Sequence, residues 1–487
     1  MDREKIAERP VAGNCRCGWF LAGKREKRYA MGNNPFEIYS GKLYAQWQQA
    51  RDEGRDVAAL EEACRAVRDA AAKGPAAARD QLPLAYALYD ALEAAAVRPG
   101  HVYCEPSDYA GILAQRPESR DVGQLPDRAV LRDRILAGWT GRVAGCLLGK
   151  PLEFWALKPL RGMLHDIGNY PVSRYVAASD FTPQIREKYD IAVGSPVNKQ
   201  PWIDEIGDHA PIDDDTNYTV LNLRLLETFG RDFTPEEVLF AWVNWMPAGV
   251  CCTAERIAYV NALGGMRPPE TAVYRNPYRE WVGAQIRAEI FGWVNPGDPQ
   301  AAAEMAYRDA CVSHVRNGIY GEMFAAAMVA AAIVCGDVRA VIGAGLAQIP
   351  THSRLAEAVR DTISDFDAGV TYEQAVQKLH GRYDENDMFD WCHTIPNAVI
   401  VVLSLLHGAG DFAKALGLCV QAAMDTDSNG AVVGAIMGSM LGSAGIPAYW
   451  GDCFGYKLAS SVDGYHLMEL EELADRTLVV ALAEKCV

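Results

Sequence analysis

The chain has 487 residues, half of them hydrophobic, and 63 acidic against 47 basic side chains give it a formal net charge of −16. That composition supplies a sizeable core, in one large domain with an extension or in two or three domains. It argues against non-specific nucleic-acid binding or a basic membrane surface, both of which need clustered Lys/Arg, but not against an anionic substrate, because a bound divalent cation inverts the local field.

Residues 1–34 read as irregular, and either Met1 or Met31 can be the start. GWFLAG is too short for the apolar region of a secretory signal, so the expected compartment is the cytoplasm. The 13 cysteines are odd in number and irregular in spacing. Cys146, Cys311, Cys335 and Cys419 lie in apolar stretches and read as buried free thiols of a reducing compartment. Cys15-x-Cys17 and Cys251-Cys252 lack the partners of a zinc site. Residues 36–95 are rich in Ala, Leu, Glu and Arg and predict two or three helices broken at Gly and Pro. Residues 96–128 read as a connection.

From Leu131 onward the texture changes to long apolar stretches with three- and four-residue spacing. Helices are predicted over 131–148, 216–229, 235–246, 252–264, 299–313, 319–335, 338–347, 353–364, 372–380, 395–407, 411–423 and 428–442. Thr234-Pro235 marks a helix start, with a capping residue before a proline. Strand alternation is scarce and no internal repeat is visible. The predicted class is all-α, with an N-terminal helical extension over 1–130 and a principal domain over 131–487. Gly430–Tyr449 is long enough to cross a bilayer, but it carries spaced glycines, two serines and a proline and follows two aspartates. A buried helix is the better reading, and no membrane partner is expected.

The chemistry concentrates in two acidic clusters. DTDSNG (425–430) begins like an EF-hand loop, but position 12, which must supply a bidentate Glu, is Ile436. Its D-x-D-x-S string is also that of phosphatase nucleophiles, yet the preceding GLCVQAAM continues a helix rather than a buried strand. The third reading uses the glycines. Gly430, Gly434, Gly438 and Gly442 each cost about 1 kcal/mol in a helix, and at four-residue spacing they form one bare ridge that another backbone can approach. Asp425 and Asp427 then sit at the mouth of a central helix, where its amide ends favour negative groups. The second cluster, Asp213-Asp214-Asp215-Thr216, also precedes an apolar helix. Adjacent carboxylates raise one another's pKa unless a cation neutralises them. A single acidic run is usually a solvated turn, but two of the same form favour one shared binuclear site for a hard cation, Mg²⁺, Mn²⁺ or Ca²⁺.

Three ordered segments, GRVAGCLLGKPLEFW (141–155), DDDTNYT (213–219) and DTDSNGAVVGAIMGSMLG (425–442), resemble the ADP-ribosylglycohydrolase family over about residues 131–475. The resemblance implies an all-α helical bundle around two Mg²⁺ or Mn²⁺ ions. It implies metal ligands at Asp214 and Asp215, with Asp213 where the family usually has Thr, and at Asp425, Asp427 and Ser428, with Ser428 where Thr is commoner. Thr216 is implied as a helix cap, or as a direct ligand or a group behind the ligands. Glu153 matches a mobile acidic residue near the scissile bond and, with Asp214 and Asp215, is a catalytic candidate. VSHVRNGIYGEM and WCHTIPNAVIVV match the region that holds the ADP-ribose, which makes His314, Asn317, Gly318, Gly321, His393 and Asn397 substrate-binding candidates. Arg275, Arg279 and Arg287 read either as diphosphate contacts or as a salt-bridged surface face. The implied activity is hydrolysis of an N- or O-glycosidic bond to ribose, with an ADP-ribosylated protein or a small riboside as partner. Two alternatives stand beside it: a hydrolase of a small riboside or sugar conjugate, and a catalytically silent, crystallin-like structural protein.

Overall fold

The glycine spacing of 430–442 sets the centre of the molecule. A computed structural model describes residues 39–118, 122–191 and 201–483; Met31 and the Cys15–Cys17 pair lie outside the described residues. The Thr426–Leu441 helix is buried continuously from Thr426 to Met440. It runs antiparallel to the Arg128–Gly149 helix, backbone against backbone. A Cβ on Gly434 would stand 2.0 Å from the Gly141 carbonyl oxygen, one on Gly145 1.9 Å from that of Gly430, and one on Gly438 2.1 Å from that of Ala137. The ridge therefore has a complementary ridge, Gly141-x₃-Gly145-x₃-Gly149. Close dispersion contact along this seam offsets the propensity cost of the glycines. Gly442 does not join the ridge. It closes the helix at φ 71°, a conformation that favours glycine, and so the apolar run ends at Leu441 rather than crossing to Tyr449. No helix among the described residues is long and apolar enough to cross a membrane.

Other helices wrap this pair, including Asp214–Phe229, Arg316–Ala332, Thr394–Gly408 and Phe412–Val420. Thr234 caps the Pro235–Trp245 helix in a reciprocal box with Glu237. The fold is all-α, and among the described residues the one sheet is an antiparallel pair of short strands, Lys457–Ala459 against Leu467–Glu469. A last helix, Leu470–Leu482, packs on Arg128–Gly149; neither it nor the hairpin is among the elements predicted above.

The N-terminal helices Leu43–Asp52, Glu61–Ala71, Pro75–Asp80 and Leu82–Ala94 close over an apolar cluster of their own around Leu43, Trp47, Cys64 and Tyr89. Buried polar bonds fasten this segment to the remainder. Gln49 Nε2 donates to Glu280 Oε1 at 2.6 Å, and Arg279 Nε donates to Glu53 Oε1 at 2.7 Å. Arg279 and Arg287 are thus neither surface residues nor exposed anion contacts. Arg287 is fully buried among Glu255, Asp309 and Ser313, and Arg275 lies over Tyr86.

Candidate functional site

Two helix starts converge at one end of the glycine seam. At the first, Asp213 caps the Asp214–Phe229 helix by accepting the Asp215 N–H at 2.9 Å. Thr216, expected as the cap, lies inside the helix and gives its hydroxyl to the Asp213 carbonyl, because the helix opens two residues earlier than its apolar pattern. At the second, Ala423 and Met424 take φ values of 62° and 61°. Two successive left-handed residues with side chains are uncommon and cost on the order of 1 kcal/mol or more each. They turn the chain so that Asp425 opens its helix without capping it. Its carboxylate faces Asp427 and Ser428 instead.

A hydrogen bond joins the two starts: Ser428 Oγ donates to Asp215 Oδ1 at 3.1 Å across 213 residues of sequence. Carboxylate oxygens of Glu153, Asp425 and Asp427 lie within 4.8 Å of one another, and so do ligand atoms of Cys146, Asp213 and Asp215. Burial, then the charges of Asp427 and Asp214, push Asp215 well above the usual carboxylate range. Burial and Asp427 do the same to Asp425. Asp214, half-buried, is raised by burial against the pull of Lys150. Apart from the Cys146 thiol, the donors are oxygens and too crowded to ionise together, which is the load a hard divalent cation relieves. The two groups brought together, Cys146 with Asp213 and Asp215 and Glu153 with Asp425 and Asp427, fit such ions, with the Asp214 charge felt at Asp215 and the Ser428 hydroxyl bonded to it.

Three positioning groups were not among the candidates. Lys150 is ion-paired to Asp213 with both side chains buried. Arg142, fully buried, donates to the Asp215 carbonyl at 2.7 Å and pairs with Glu289 at 2.7 Å. Cys146 Sγ lies 4.0 Å from Asp215 Oδ2. The single charged residue in the apolar stretch 135–149 was the available signal for Arg142.

Asn397 serves the site through the backbone. Its Oδ1 accepts the Asp425 N–H at 3.3 Å and Asn429 Nδ2 at 2.7 Å, while its Nδ2 donates to the Trp391 and His393 carbonyls. The remaining candidates sit in the scaffold around it. His314 is buried beside Ser313 and Glu255, and burial and Arg287 hold it well below the usual histidine range, hence neutral. Asn317 spends its amide on Glu105, Glu280 and the Leu355 N–H. Gly318 and Gly321 admit the Arg279 carbonyl and Thr394, each 2.5 Å from where a Cβ would stand. His393 lines a separate cavity.

A family model described as ADP-ribosylglycohydrolase matches residues 127–486. A solved structure described as an ADP-ribosylglycohydrolase-related protein complex is 18% identical, with a TM-score of 0.39, over 72% of this chain and 98% of that one. No curated protein matches the chain.

Proposed function

The chain belongs to the ADP-ribosylglycohydrolase family, a family of glycosidases, and from that premise we propose a metal-dependent hydrolase that cleaves an N- or O-glycosidic bond to ribose in an ADP-ribosyl conjugate. The observation that carries this reading is the Ser428–Asp215 hydrogen bond, because it makes one site of two acidic motifs that sequence spacing leaves unrelated. In this reading residues 131–487 form the catalytic domain and 1–130 an extension to it. A cytoplasmic setting accords with the buried thiols of Cys64, Cys146, Cys311 and Cys419.

Asp214, Asp215, Asp425, Asp427 and Ser428 would hold two Mg²⁺ or Mn²⁺ ions, which when bound supply charge neutralisation and a hold on ribose hydroxyls and water. The chain's own groups do the rest. Cleavage at the ribosyl carbon passes through an oxocarbenium-like state, and the carboxylate cluster tolerates the positive charge that develops there. Glu153 is only part-buried and lies against Asp425 and Asp427, so it can reach a water and take its proton as the bond to the leaving group breaks. Arg142 fixes the backbone of Asp215, and Asn397 that of Asp425.

The test is an Asp215→Ala/Asp427→Ala variant. It should keep its helical circular dichroism and lose Mn²⁺ binding, and its release of ADP-ribose from ADP-ribosylated substrates should fall at least a thousandfold. Full activity in that variant sinks the assignment. Turnover of a simple riboside at the same rate would move the substrate from an ADP-ribosyl conjugate to a small riboside.

A further inference from the structure

A cavity of about 510 Å³ opens along the seam between the N-terminal segment and the family domain. The extension supplies Arg51, Arg98 and His101 to its wall; the domain supplies Arg354, Arg382 and His393. In a chain of net charge −16, four arginines meet at one cavity. The acids on the same wall are Asp52, which pairs with Arg51 at 2.8 Å, and Asp390, which accepts the Asp384 N–H. Arg354 is held from behind by Glu280 at 2.6 Å and Glu105 at 2.8 Å. Among the described residues Arg98 donates to the Gly54 and Arg51 carbonyls, and Arg382 stacks on Tyr383. Neither meets a carboxylate among the described residues.

His393 supplies the buried contact. It is 3% exposed. Its Nδ1 accepts the Ile395 N–H at 3.2 Å, which places the proton of the neutral ring on Nε2. Among the described residues that Nε2 has no hydrogen-bond partner, although a buried donor is normally satisfied. His393 also precedes the Thr394–Gly408 helix, whose first-turn residue Ile395 lines the same cavity, so the positive end of that helix faces it too.

We propose that this cavity is a phosphate-binding site made jointly by the N-terminal extension and the family domain, with His393 Nε2–H as its buried donor and Arg98 and Arg382 as its uncommitted cations. Four residues, about 6 Å of helix rise, separate His393 from Asn397, which holds Asp425. The phosphates are therefore either the distal part of the substrate cleaved at the acidic site or those of a separate phosphorylated effector. The site itself does not depend on the metal reading.

The experiment is calorimetric titration of the full chain with ADP and with inorganic pyrophosphate, in EDTA, with adenosine as the phosphate-free control. ADP and pyrophosphate should bind and adenosine should not. Arg98→Glu/Arg382→Glu, on exposed side chains, and His393→Phe, which keeps a ring and removes the donor, should each weaken ADP at least tenfold. Failure of wild type to bind ADP, equal binding of adenosine, or unchanged affinity in the arginine variant would overturn the proposal. The arginine variant should keep full Mn²⁺ affinity, and Asp215→Ala/Asp427→Ala should keep ADP binding in EDTA, so each reading fails on its own variant. Competitive inhibition of hydrolysis by ADP would make the occupant the substrate's own phosphates; non-competitive inhibition would make it an effector, and either pattern upholds the site.

Discussion

The Lys150 ammonium is ion-paired with the Asp213 carboxylate, and both side chains are buried. This pairing explains how the site carries an aspartate where the resemblance places a threonine. The added negative charge is matched inside the fold, by a residue in the single turn that follows the Arg128–Gly149 helix. Removing one member of a buried pair leaves the other uncompensated, at about 3–5 kcal/mol. Lys150→Met should therefore lose roughly that much stability in EDTA, and Lys150→Met/Asp213→Asn should recover most of it. Mn²⁺ should partly rescue the single variant, since a cation can take over the charge. Urea unfolding with and without Mn²⁺ reads all three, and an unchanged midpoint for Lys150→Met would show that the pair contributes nothing.

The glycine seam makes a sharper contrast. Gly434→Ala would set a methyl 2.0 Å from the Gly141 carbonyl oxygen, with backbone on both sides. The propensity gain of about 1 kcal/mol cannot compensate for prising two helices apart, and a loss above about 4 kcal/mol is expected. Gly343, exposed in the Val338–Leu346 helix, has nothing within 4 Å of its Cβ position. Gly343→Ala should instead stabilise by up to about 1 kcal/mol. Thermal denaturation of the two variants side by side tests the pairing, which a milder loss at Gly434 than at any other buried glycine would contradict.

Local periodicity made most of the main helices legible: the Thr394–Gly408 helix and its neighbours follow their apolar spacing to within a few residues. The acidic motifs were legible for the same reason, since each is contiguous. Relations between distant segments were not. Gly141, Gly145 and Gly149 repeat with the same four-residue spacing as Gly430 and Gly434, but only the fold lays one ridge on the other. Asn317 is a substrate-binding candidate by resemblance, but its amide is taken by Glu105 and Glu280, which come from elsewhere in the chain. Leu470–Leu482 did carry a readable pattern, with Leu470, Leu473, Ala474, Thr477 and Leu478 buried on one face.

Stability in EDTA should fall as pH rises through neutrality. Burial pushes Glu255 and Glu289 up to about 7 in spite of Arg287 and Arg142 beside them. The folded state thus binds protons that the unfolded chain releases near pH 4.5. The stability linked to those protons is full below that pH and is lost as pH rises through about 7. Asp215 and Asp425 act in the same sense. Glu280 acts in the opposite one: burial raises it, but Arg354, His393 and Arg316 bring it down to about 2, so its contribution holds above pH 4.5 and fades as pH falls toward 2. His314 and His393, held below 6.5 chiefly by burial, oppose this trend below about pH 6.5, so the net loss is read between pH 6.5 and 8, where it should be on the order of 1 kcal/mol or more in the metal-free protein. Mn²⁺ should flatten the part owed to Asp215 and Asp425, and Glu289→Gln the part owed to Glu289. Urea midpoints that rise across this range in EDTA would reverse the sign and refute the assignment.

Asn397 separates positioning from catalysis. It touches no substrate in this reading, yet it holds the Asp425 N–H, the Asn429 amide and two carbonyls of the preceding turn. With Ala423 and Met424 in the left-handed region just before Asp425, that loop is strained and depends on such anchors. Asn397→Ala should weaken Mn²⁺ binding about 10- to 100-fold, the range typical of groups that orient metal ligands. Asn397→Asp retains an acceptor for the Asp425 N–H and should recover part of it. If Asn397 acts only through Asp425, saturating Mn²⁺ restores kcat in the alanine variant and leaves KM unchanged. A kcat that stays low at saturating metal, with metal affinity intact, would instead put Asn397 in contact with the reacting groups.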